Sequence, residues 1–158
     1  MIKFKKNKQI FKRNYPLYFI FALLTFINLL YVSVEVNKPN ILKAMGYDVT
    51  KYSVFSVSQS EVERLSAVSN YSLLFESAFI IISMLWIVFL LTKKVRPFFK
   101  SMMIITVNFF LFLFLLNIAV AIIFSTPYVN LVQLLITPFQ ILLLVCIYGF
   151  LKFKNESN

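Results

Sequence analysis

A chain of 158 residues that is 60% hydrophobic and 18% aromatic, with a mean hydropathy of +0.83, has too little polar surface to cover a water-soluble globule, where about 45–50% apolar content is usual. Its net charge of +10, from 16 Lys and Arg against 6 Asp and Glu, lies beside apolar runs and accompanies no helix-turn-helix, zinc or RNA-binding signature, so no nucleic-acid partner is expected. There is no histidine and only one cysteine, Cys146, which removes the usual zinc sites, redox CxxC pairs and intrachain disulfides; neither a metal nor a cofactor is expected.

Four apolar runs cover residues 15–34, 73–92, 102–124 and 129–151. Each is about 20 residues, which as a helix rising about 1.5 Å per residue crosses a ~30 Å hydrocarbon core. The runs are continuous, whereas a β-barrel shows alternating segments of about 10 residues broken by turns. The expected fold is an all-α membrane protein. Four transmembrane helices form an up-down bundle, a single polytopic domain over residues 1–158.

In chain order, residues 1–14 hold Lys3, Lys5, Lys6, Lys8, Lys12 and Arg13 with no acid. The run that follows exceeds the usual 7–15 residues of a signal peptide and ends without a small-x-small cleavage site, so an uncleaved first span is expected. Tyr15 and Tyr18 suit an interfacial aromatic belt, and Pro16 is tolerated in a helix's first turn.

Residues 35–71 form the expected longer outer loop between helices 1 and 2. Glu35, Asp48, Glu61 and Glu63 there balance Lys38, Lys43, Lys51 and Arg64. Pro39 suits a first helical position and Gly46 the residue after a helix end, so a short helix is expected over residues 39–45. The alternation over residues 52–58 suggests an extended segment on the bilayer surface. Ser60 with Glu63 fits a capping box, and Ser58 with Glu61 offers the same spacing two residues earlier. No Pro or Gly follows until Pro97, so the second helix is expected to begin near Glu61 and run unbroken to Lys93.

Lys93, Lys94, Arg96 and Lys100 flank the turn before the third span. Residues 125–130 make a short uncharged hairpin before the fourth, and Lys152, Lys154 and Glu156 follow it. With both termini cytoplasmic, 12 bases lie inside and 4 outside; the positive-inside rule favours that orientation. The basic flanks are expected to meet anionic lipid head groups. Composition suits a bacterial inner membrane.

Chemistry within the bilayer would sit on the few polar groups that lipid rejects. Glu76 is the only charged residue within a run. Ser69, Ser72, Glu76 and Ser83 share a helix face. A proton- or cation-sensing carboxylate is one reading of Glu76; an interfacial residue bonded to a neighbouring helix is the plainer one. On the fourth run Asn130, Gln133, Thr137 and Gln140 fall within about 80° of one another, beside Pro138. They could line a solute path, but such amides more often hold helices together. Asn28, with Thr25 one turn away, Asn108 and Asn117 are the other embedded amides. Thr106 and Asn117 share a face, Asn108 points nearly opposite, and Asn117, Ala121 and Ser125 form a seam suited to close packing. Phe109, Phe110, Phe112 and Phe114 are expected to meet lipid and fill gaps rather than bind a cofactor.

No HExxH, GxSxG, phosphate-cradling glycine loop or intramembrane carboxylate pair is present, so an enzyme is not expected. The expected function is that of a small accessory or bacteriocin-immunity-type protein acting through helix–helix contacts in the bilayer. Its partner would be another membrane protein or a second copy. An oligomeric solute or ion transporter using Glu76 and the fourth-helix stripe is the alternative, and a membrane sensor with residues 35–71 as receptor is a second. The plan of four spans, both ends inside and one longer outer loop resembles immunity proteins to pore-forming bacteriocins of the colicin A type. The resemblance is architectural, no motif carries it, and the hairpin between the third and fourth spans is shorter here.

Overall fold

The computed structural model describes residues 2–44, 58–92 and 96–155, all within or next to four helices: α1 (Ile2–Ala44), α2 (Gln59–Thr92), α3 (Arg96–Ile123) and α4 (Tyr128–Asn155). Each contains a stretch long and apolar enough to cross a membrane, namely Pro16–Ala44, Val62–Thr92, Phe99–Ile123 and Tyr128–Leu151. Between 22% and 33% of each stretch's most apolar window is buried against other helices, so most of every span is left to face lipid.

Side-chain contacts give the relative directions of the helices. Phe21 on α1 lies level with Trp86 late in α2 and with Phe109 on α3. Further along α1, Asn28 meets Asn117, and Glu35 reaches Ser72 early in α2 and Asn130 early in α4. The Cβ position of Gly149, late in α4, faces the Phe99 ring at the start of α3. Successive helices therefore run in opposite directions. One end of the bundle gathers the start of α1 and the end of α4, where bases cluster, and is called the basic end below. The other carries the α3–α4 turn and is called the hairpin end. α1 packs mainly on α2 and α3 mainly on α4, with α2 also against α4.

Leu24, Phe79, Phe110, Leu113, Leu131, Leu134, Leu135 and Leu142 are completely buried along the bundle axis. Toward the basic end the filling is aromatic. The Phe21 ring stacks on Phe109 at 4.0 Å and 3°, and meets Trp86 edge-on at 5.9 Å. Trp86 Nε1 donates to Thr106 Oγ1 at 3.2 Å, which satisfies the buried indole. Of the phenylalanines on α3, Phe110 is fully buried and Phe112 is 61% exposed.

Both helices at the first connection outrun their apolar cores. α1 has 43 residues, about 65 Å at the usual rise, and α2 has 34. The short helix expected to start at Pro39 is instead the last part of α1, with Pro39 in its interior. Proline there removes only the hydrogen bond to the Glu35 carbonyl, and the residues on either side keep the helix going. Pro16 is likewise an interior residue, since α1 begins at Ile2 rather than beside it. α2 begins at Gln59, and Val62 N–H donates to the Ser58 carbonyl at 3.1 Å, so Ser58 rather than Ser60 is the capping residue. The extended segment expected over residues 52–58, the end of the short helix beyond Ala44 and the turn at Lys93 and Lys94 lie outside the described residues, save Ser58.

The α3–α4 turn closes on a Schellman motif. Thr126 N–H reaches back to the Ala121 carbonyl at 3.0 Å and Ser125 N–H to the Ile122 carbonyl at 3.4 Å. Ser125 occupies the left-handed position, with φ of 51°, that glycine usually takes.

Candidate functional site

Within lipid a side-chain amide has no water to bond, so what each polar residue touches decides its role. The structure sorts them into three groups.

The first is an amide pair in the core. Asn28 and Asn117 are both fully buried. Asn28 Nδ2 donates to Asn117 Oδ1 at 3.0 Å, and Asn117 Nδ2 faces Asn28 Oδ1 at 3.2 Å and the Leu131 carbonyl at 3.0 Å. One small network thus ties α1, α3 and α4. Thr106 is buried on the same side of α3, whereas Asn108 is exposed. Among the described residues Thr25 bonds its own helix alone, donating to the Phe21 carbonyl at 2.8 Å.

The second is a carboxylate cluster at the hairpin end. Glu35 is 5% exposed and accepts from Lys38 Nζ, from Ser72 Oγ and, at 3.3 Å, from Asn130 Nδ2. Tyr31, one turn before Glu35, donates to the Asn130 carbonyl at 2.6 Å. The cluster joins α1, α2 and α4, and Lys38 balances its charge. Sequence reasoning misses its centre, because Glu35 falls in the segment expected to form the outer loop. The signal was present: Asn28, Tyr31 and Glu35 are three and four apart, one helix face if α1 is carried past Val34.

The expected polar face of α2 does not act as a unit. Ser69 is exposed, Ser72 belongs to the cluster, and Ser83 is fully buried with its hydroxyl unpaired among the described residues. Glu76 is half-buried one turn inward from Ser72 and makes no hydrogen bond or ion pair among the described residues.

The third group is the stripe on α4, and it turns away from the bundle. Leu131, Leu134, Leu135, Pro138 and Leu142 form the buried face. At about 100° per residue, Gln133, Thr137 and Gln140 project from the opposite side, and all three are exposed. None bonds to another described residue. Asn130, at the head of the stripe, is held by the Glu35 cluster. Gln140 sits near the middle of the Tyr128–Leu151 span, the depth at which an unpaired amide costs most. The six residues singled out from the sequence therefore separate: Asn28 and Asn117 meet each other, Glu76 has no hydrogen-bond or ion-pair partner among the described residues, and Gln133, Thr137 and Gln140 form an outward face.

These features define a multi-pass helical membrane protein. No protein-family model, characterised protein or solved structure matches the chain.

Proposed function

We propose that this chain is a small non-enzymatic protein of a bacterial inner membrane. It acts by offering the outward face of α4 for helix–helix contact within the bilayer, as an accessory or immunity-type partner. The observation that carries this reading is the clustering of three unpaired polar residues, Gln133, Thr137 and Gln140, on one exposed face, in a fold that buries Asn28 against Asn117 and leaves Asn108 as a single exposed amide on α3. Lipid tails offer no hydrogen-bonding groups, so amides held at that depth are stabilised only when another protein surface covers them. The bases near the start of α1 and of α3 support an orientation with the basic end and both termini in the cytoplasm.

A transport path would require the polar groups to enclose a space. Glu76 and the α4 stripe do not come together within one chain, so a path using both would have to be enclosed by several copies.

A photoreactive residue placed at Gln133 or Gln140 in native membranes tests the proposal, with Leu85, exposed on α2, as control. Discrete protein adducts are expected at the two α4 positions and lipid adducts alone at Leu85. Lipid adducts alone at all three would contradict it.

A further inference from the structure

We infer that the face of α4 is covered by a second copy of this chain, packed in parallel about a two-fold axis normal to the membrane. The inference rests on the reading of that face as a contact surface and names its occupant.

The spacing is the first argument. Gln133, Thr137, Gln140, Leu144 and Ile147 follow one another at intervals of four, three, four and three residues, and all are exposed. That alternation is the seam of a left-handed helix pair crossing near +20°. The bundle does not use it, because α4 turns the opposite, leucine-rich side inward. The seam is thus a second packing face on a helix whose first is already filled.

Symmetry is the second. Two copies inserted with the same topology are related by rotation about the membrane normal, so their α4 helices run parallel and each seam residue meets its own counterpart. Charged and donor-only side chains fit such an arrangement badly. Like charges would repel, and a group that only donates or only accepts would face its own kind. A glutamine carboxamide carries donors and an acceptor together, so Gln133 can bond Gln133 of the other copy, and Gln140 likewise. Thr137 between them is small enough to let the backbones approach, and Leu144 and Ile147 continue the seam with apolar packing. A hydrocarbon tail could satisfy neither amide.

Disulfide cross-linking of the purified chain in phosphatidylethanolamine–phosphatidylglycerol vesicles tests this. The single native cysteine is first removed as Cys146→Ala. Thr137→Cys and Gln140→Cys should then give a disulfide-linked dimer under mild oxidation, since two cysteines bridge only when their Cα atoms are within about 7 Å. Leu85→Cys on α2 and Phe112→Cys on α3, both exposed to lipid, should not. Cross-linking equal at all four positions, or at none, overturns the inference. Resonance energy transfer between labelled copies that keep every α4 residue provides an independent reading. Gln133→Leu with Gln140→Leu should lower the association constant roughly 10-fold at fixed protein-to-lipid ratio, and an unchanged constant overturns it.

The two failures are distinguishable. A chain that stays monomeric in vesicles, yet gives adducts with a different protein in native membranes, keeps the contact reading and removes the second copy as occupant. Lipid adducts alone at both α4 positions in native membranes remove the contact reading, and the second copy with it, whatever the vesicles show.

Discussion

Asn28 and Asn117 are each other's principal partner, and removing one strands the other. Asn117→Leu leaves the Asn28 amide and the Leu131 carbonyl without the groups they now face, at a cost of about 1–3 kcal/mol. Asn28→Leu strands only part of Asn117. The double variant should cost less than the sum of the two, with a coupling of about 1 kcal/mol, read from unfolding free energies in mixed detergent micelles. Strict additivity would mean that the pair does not form. The Glu35 cluster is asymmetric in a different way. Glu35 is 5% exposed and Lys38 is 28%, so Lys38 can reach water when alone and Glu35 cannot. Lys38→Met should therefore destabilise more than Glu35→Gln, by about 3 kcal/mol against about 1. Equal losses would place the carboxylate in solvent. Glu35 escaped the sequence reading because a charge just past an apolar run is ordinarily an interfacial residue. Its burial depends on Ser72 and Asn130, which are distant in the chain.

At the level of the helices, the apolar runs gave the four spans and the direct neighbourhood of α3 and α4, and the unbroken course of α2 followed from its lack of Pro and Gly. The length of α1 did not, since proline is a fair sign of a helix start and only the surrounding packing shows that Pro39 is interior. Which way α4 faces was illegible for a more general reason. A wheel tells which residues share a side. In water the polar side is then the outer one, but in lipid both sides are apolar and the rule gives no sign. The turn after α3 allows a sharper test. Ser125 holds a left-handed backbone at a site where a side chain is strained, so Ser125→Gly should raise stability by about 1 kcal/mol in the same micelle assay. A loss of stability would show that the strain is offset by contacts of the serine side chain.

The whole molecule divides its polarity between holding itself together and what it leaves uncovered. Inward amides and the Glu35 cluster tie α1 to α2, α3 and α4, while the outward amides of α4 contribute nothing to that fold. The proposed orientation, with the hairpin end outside, rests on the placement of charge, and accessibility to a membrane-impermeant maleimide checks it. On the Cys146→Ala background, Tyr128→Cys at the hairpin end should label from outside the cell. Lys100→Cys at the basic end should label only after permeabilisation, and the opposite pattern would invert the topology. The division of polarity itself is tested most directly by the unfolding free energy of the Gln133→Leu, Gln140→Leu variant in micelles dilute enough to hold single copies. Stability within about 0.5 kcal/mol of the parent chain, or above it, is the expected result, beside the clear loss from Asn117→Leu. A loss as large as that of Asn117→Leu would mean that the α4 stripe faces inward, and would contradict the account.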